Sequence, residues 1–123
     1  MEEKQKIRSF TDLIAWKEGH KLVLLVYKVT NIFPQSEIFG LTNQMRRCVV
    51  SITSNIAEGF SRATNKDKVQ FYSIALGSLT ELQNQLCIAR DVKYISMEDF
   101  SRIATQTVLI SKLINGLKRI KYT

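Results

Sequence analysis

Few side chains in this 123-residue chain have the type and spacing for chemistry. There is one histidine, His20, and its place in an apolar periodic stretch reads as a buried structural residue. Without a second histidine, a zinc site of the usual kind cannot be assembled. The two cysteines, Cys48 and Cys87, lie 39 positions apart, each among apolar residues, with no CxxC pair. Free buried thiols are the reading, with a single structural disulfide as the alternative. Glu58 and Glu81 could meet as a carboxylate pair between two neighbouring helices. The Glu-x-x-His partner that supports a carboxylate metal site in helical bundles is missing. No Gly-rich phosphate loop or nucleophile elbow occurs. These residues predict no enzymatic active site, no metal and no cofactor. Catalysis would require a site composed between chains.

Charge is the stronger signal. Eighteen Lys and Arg against eleven Asp and Glu give a formal net charge of +7. A basic balance suits a polyanion such as nucleic acid. A solvated basic surface that only keeps the protein soluble is the bland alternative. From residue 100 onward the chain carries Arg102, Lys112, Lys118, Arg119 and Lys121 and no acid.

The elements that must position these residues are helices. One proline and five glycines leave little punctuation for short strands. Residues at spacings of three and four predict four helices, over about 11–32, 41–62, 66–93 and 97–120. The first reads as burying Leu13, Trp16, His20, Val23, Tyr27 and Thr30, capped by Thr11 or Asp12 and ended by Pro34. The second buries Leu41, Met45, Cys48, Ile52 and Ile56. The third buries Tyr72, Ala75, Leu79, Leu82, Leu86 and Ala89, after a Thr64–Asp67 capping box. The fourth follows a Ser96 cap and buries Phe100, Ile103, Thr107, Ile110, Ile114 and Leu117. Short connections make neighbours antiparallel, so the expected fold is an all-α up-down-up-down bundle. The domain spans 10–121, with 1–9 as a mobile arm.

Two features go beyond one bundle. The run from Leu22 to Val26, and Val108, Leu109, Ile110, Leu113 and Ile114, cover more of a helix than one stripe, which reads as an oligomer interface, with a wide face buried inside one bundle as the alternative. The second helix also has a polar stripe of Gln44, Arg47, Ser51, Asn55, Glu58 and Arg62. The third sets Gly77, Ser78 and Glu81 in mid-helix. Glycine costs about 1 kcal/mol there relative to alanine, so Gly77 suggests that another helix crosses closely. Arg47, Ser51, Asn55, Glu58, Gly77, Ser78 and Glu81 are therefore candidates for a helix or subunit contact, with a solvated face as the alternative. Reduced cysteines fit a cytoplasmic protein. The opening MEEKQKIR is no signal peptide, and no apolar run approaches the roughly 20 residues of a membrane span.

The segments FTDLIAWKEGHKL, FPQSEIFGLTNQMRRCVVSITSNIAEGFSR, FYSIALGSLTELQNQL and ARDVKYIS resemble successive blocks of the 23S rRNA intervening-sequence proteins, a bacterial four-helix bundle family. The Gly40–Arg47, Ser54–Gly59 and Ala75–Leu82 runs occur in family order and at compatible spacing. The resemblance covers about 10–96; the flanks rest on periodicity. It implies a left-handed four-helix bundle that assembles as a homopentamer. The family is similar to the accessory variability protein of diversity-generating retroelements, a basic pentamer that works with a reverse transcriptase and RNA. Family genes often lie inside insertions in 23S rRNA genes, and no settled activity comes with the resemblance.

Two functions follow as expectations. The first is an oligomer that binds the RNA or DNA backbone through basic residues. The second is a protein-binding scaffold that recruits a partner such as a polymerase. The sequence offers no recognised aromatic platform of the kind that reads bases, so binding should follow shape and charge. Up-down topology would gather Lys4, Lys6, Arg8, Arg62, Lys66, Lys68, Lys118, Arg119 and Lys121 at one end. With Glu2, Glu3, Asp12, Glu58 and Asp67 there too, nine cations against five acids leave +4. Arg62, Lys66, Lys68, Lys118, Arg119 and Lys121 are the candidate nucleic-acid contacts.

Overall fold

Apolar residues at helical spacing build four helices in the structure, a computed structural model that describes residues 6–121. They are α1 (Ile14–Thr30), α2 (Leu41–Ser61), α3 (Asn65–Asp91) and α4 (Met97–Arg119). Short 3-10 turns at Phe10–Asp12 and Gln35–Glu37 precede α1 and α2, and there is no strand among the described residues. Side-chain pairs fix an antiparallel order. Ser51 meets Ser78 across α2 and α3, Gln83 meets Thr107 across α3 and α4, and Glu18 meets Gln106 across α1 and α4. Arg46 reaches back to Thr30 across α1 and α2. Each helix thus packs on its two sequence neighbours, with α1 and α4 closing the bundle, which is the up-down-up-down arrangement.

Local chemistry explains the helix ends. Thr64 and Ser96 accept hydrogen bonds from the backbone N–H groups of Asp67 and Asp99, satisfying donors that the first turn leaves free. At the start of α1 the cap lies one turn earlier than the spacing predicts. Ser9 and Asp12 form a reciprocal capping box around the 3-10 turn, and α1 itself begins after Leu13 with no side-chain cap. The backbone N–H groups of Arg8 and Ser9 hold the Asp12 carboxyl below its ordinary pKa. Glu37 accepts from the Leu41 N–H and from the Tyr94 hydroxyl, so it ties the α1–α2 loop to the α3–α4 turn.

The core faces of α2, α3 and α4 follow the periodicity. Met45, Ile52, Ile56, Tyr72, Ala75, Leu82, Ile103, Ile110 and Ile114 are all fully buried. The face of α1 is rotated from the expected one. Ala15, Gly19, Leu22, Val26 and Val29 point inward; of the expected stripe Leu13 and Thr30 at its ends are buried, while His20 and Tyr27 are exposed and Trp16 and Val23 are half-buried. Both stripes have helical spacing, so periodicity cannot choose between them. The choice falls to the stripe with small residues, because Gly19 lies where Thr53 of α2 crosses: a Cβ on Gly19 would sit 3.0 Å from the Thr53 methyl. His20 is therefore no core residue.

Gly59 is the tighter of these contacts. A Cβ there would lie 2.6 Å from the fully buried ring of Tyr72. Gly77, by contrast, faces open space, with nothing within 4 Å of its would-be Cβ. The mid-helix glycine does not mark a helix crossing within the chain. Gly59→Ala should therefore lower stability by about 1–3 kcal/mol through overpacking, while Gly77→Ala should raise it by about 0.5–1 kcal/mol through helix propensity. Urea melts of the two variants against the parent check this pair.

Glu18 gives a pH prediction. Its carboxylate accepts from Gln106 at 2.9 Å and pairs with Lys21 at 3.1 Å, and these bonds, Gln106 first, hold its pKa below the ordinary 4.5. A depressed carboxyl adds stability that is present above its unfolded pKa and lost as pH falls through its folded one. Glu18→Gln should cost on the order of 1 kcal/mol at neutral pH. The difference from the parent should close as pH drops below 4.5. Thermal melts across that range are the check.

Candidate functional site

The basic end forms because the fold brings four chain segments together. Ile7, Leu13 and Ile14 line an apolar groove with Leu113, Leu117 and Ile120, which seats the start of α1 on the end of α4. Lys68, at the start of α3, reaches the carbonyls ending α2. Lys6, Arg8, Lys66, Arg119 and Lys121 are exposed at this end, and Lys118 is half-buried. Among the described residues, Lys6, Arg8, Arg62, Lys66, Lys68, Lys118, Arg119 and Lys121 stand there against Asp12, Glu58 and Asp67, eight cations to three acids. Lys4, Glu2 and Glu3, counted from the sequence, lie outside the described residues.

Two of the six candidate cations are already engaged. Lys68 is buried, and its ammonium donates to Phe60 O at 2.7 Å and Gly59 O at 3.4 Å beside the Phe60 ring. It closes the C-terminus of α2, where carbonyls and the helix dipole favour a cation. Burial pushes its pKa down. Lys68 is thus a structural cap and not a surface contact, which corrects the sequence reading. Arg62 pairs with Glu58 at 3.0 Å and lies over the Phe71 ring, yet its side chain remains 44% exposed.

The polar stripe of α2 divides into parts. Ser51 bonds Ser78 Oγ at 2.8 Å, and Asn55 Nδ2 donates to Ser51 O at 2.8 Å. These three form a helix contact inside the chain. Beside them, Cys48 Sγ donates to Ser78 O at 2.9 Å. Burial, then the Glu81 carboxylate, pushes its thiol pKa up to about 12. Such a thiol is unreactive, and both cysteines are free. Arg47 and Glu81 border a 290 Å³ cleft over this seam, and both are exposed. Glu58 and Glu81 do not form a carboxylate pair. The Ser51–Ser78 and Gly59–Tyr72 contacts put them about ten residues apart in register, roughly 15 Å at 1.5 Å per residue. Among the described residues no group of His, Cys, Asp and Glu could hold a metal ion.

Sequence reasoning missed a groove between α1 and α2. Tyr27, Asn43, Arg46, Arg47, Val50 and Ser54 line a 560 Å³ cleft. Phe10, Ala57, Glu58 and Ser61 line a 390 Å³ cleft that shares Ser54, so the two run on along α2. Behind the cleft-lining Phe10, Trp16 packs edge-on against it and stacks on His20 with centroids 4.8 Å apart. The Arg46 guanidinium lies 4.8 Å over the Tyr27 ring. The signal was the aromatic spacing itself, which reads equally well as a core stripe. At the end opposite the cations, Ile32, Ile38, Phe39, Val92 and Met97 are exposed, Phe39 at 91%. Of the apolar runs in α1 and α4, only Leu24, Val108 and Leu109 are exposed.

These features define a helical-bundle protein with a basic end, an apolar end and a lateral groove. Within that class, a family model described as 23S rRNA-intervening sequence protein matches residues 11–116, and the chain belongs to that family. No curated protein matches the chain. A solved structure with the same fold is a protein of unknown function from the S23 ribosomal protein family of Bacteroides thetaiotaomicron. It is 19% identical, covers 87% of this chain and 100% of its own, and superposes with a TM-score of 0.80. Among the described residues no helix is long and apolar enough to cross a membrane.

Proposed function

We propose that this chain is a non-enzymatic subunit of a homo-oligomer, a pentamer, that binds the backbone of RNA or DNA through its basic end. The gathering of Arg62, Lys66, Lys118, Arg119 and Lys121 with Lys6 and Arg8 carries this reading. Among the described residues three acids oppose them, and only Glu58 forms an ion pair with one of them. Phosphates attract such a cluster whatever the base sequence. Ring symmetry would set copies of the patch side by side, and weak contacts would then add through effective concentration. The exposed Ile32, Ile38, Phe39, Val92 and Met97 at the other end favour a second reading, a scaffold that recruits a protein partner.

For the backbone reading, the test replaces Arg62, Lys66, Lys118, Arg119 and Lys121 with glutamine and leaves the structural Lys68 intact. RNA and duplex DNA are titrated at two salt concentrations. The variant should lose most of its low-salt affinity, with a salt slope shallower by about 0.7–0.9 for each phosphate contact removed. If the parent binds neither polymer at low salt, or the variant binds as well as the parent, this end is not a nucleic-acid surface.

The assembly half is read by light scattering, with five times the 14.1 kDa chain expected. A monomer mass at micromolar concentration refutes it. Gly77→Leu, whose added Cβ meets nothing within 4 Å in its own chain, should melt above the parent at dilution through helix propensity, yet weaken assembly if Gly77 faces a second copy.

A further inference from the structure

We propose that the α1/α2 groove stacks the bases of an unpaired nucleic-acid strand. This inference rests on the nucleic-acid reading above and deepens it, since a basic end alone does not separate single strands from duplexes. Single-strand sites combine aromatic faces with cations that track the backbone. The groove has both. Trp16 and His20 are already stacked, 12° from parallel, and His20 is exposed, so a base on its outer face would extend the stack. Tyr27 is 42% exposed and carries Arg46 over its ring. Arg47, across the same cleft, is exposed and makes no hydrogen bond or ion pair among the described residues.

The floor fits the same occupant. Small residues, Ser54, Ala57 and Ser61, keep it open, and Ser54 and Ser61 expose hydrogen-bonding groups. Along α1 the row of rings from Trp16 to Tyr27 spans about 16 Å at 1.5 Å per residue, and the groove-lining Phe10 packs on its Trp16 end. That length takes on the order of four nucleotides, the lower end of single-strand site sizes. Ser61 leads directly to Arg62, so a strand leaving the groove meets the basic end. A duplex hides its base faces within its own stack and gains nothing from the aromatic wall.

The chain has one tryptophan, and it packs against Phe10, which lines the groove. Trp16 fluorescence therefore reports on the groove, while anisotropy of a labelled strand reports binding anywhere. The probes are an oligouridine of about 20 nucleotides and an RNA duplex of the same length. The single strand should bind more tightly than the duplex and change Trp16 emission; the duplex should leave it unchanged. A His20→Ala, Tyr27→Ala double variant should bind the single strand about tenfold more weakly with duplex affinity unaltered. Arg47→Gln removes a group with no hydrogen-bond or ion-pair partner among the described residues, so it leaves the fold intact and should weaken the single strand several-fold. Equal binding of both probes with silent Trp16, or unchanged affinity in both variants, overturns the groove while the basic-end reading stands. A fall in oligomeric mass in either variant makes the groove an interface between copies and also overturns it. If the parent binds neither probe, both readings fail.

Discussion

The contact on which the rest of this bundle depends is the close packing of α2 against α3. Gly59 lies against the buried ring of Tyr72, and further along Ser51 and Ser78 share a hydrogen bond. Helix backbones can approach this way only where side chains are small, and interiors are packed too densely to absorb even one extra methyl at a rigid neighbour. Two such fixed points set both the separation and the register of the pair. Register then decides which polar groups can meet. It separates Glu58 from Glu81, seats the Cys48 thiol against a backbone carbonyl, and turns Lys68 onto the end of α2.

Those consequences reach the surface. With Lys68 used as a cap, the cations free to meet a phosphate are the ones on the rim of the basic end. Their long stems and exposure keep them hydrated and mobile, which suits a charge-driven contact with little dependence on base identity. The opposite end has the contrary character, with Phe39 and Ile32 in water. A bundle with one basic and one apolar end has two chemically distinct docking surfaces. The two proposed functions therefore need not compete for the same residues.

The lateral groove arises from the orientation of α1. Gly19 lets α1 approach Thr53, and that approach buries Ala15, Leu22 and Val26. Turning this stripe inward leaves Trp16, His20 and Tyr27 along the edge toward α2. Rings with a polar tip tolerate that position, apolar on one side and wet on the other. Phe10 joins them because the Ser9–Asp12 capping box folds the preceding turn back onto α1.

Much of the fold is legible in the residues alone. Three- and four-residue spacing fixes the helical segments. The Thr64 and Ser96 caps place two of their starts, and the aliphatic stripes of α2, α3 and α4 identify their core faces. The three ordered motifs place the chain in its family. The orientation of α1 is not legible, because its aromatic and aliphatic stripes share one period and only the fit of Gly19 against α2 separates them. The role of Gly77 is equally hidden, since a mid-helix glycine looks the same in sequence whether a neighbour or water lies beside it. Lys68 reads as one more surface cation until the end of α2 is placed above it. Composition determines that the chain is basic, and the order of its segments determines that much of this charge falls at one end. Tertiary structure decides which of those charges face water, because burial and hydrogen-bond partners belong to the packed chain and not to any residue within it.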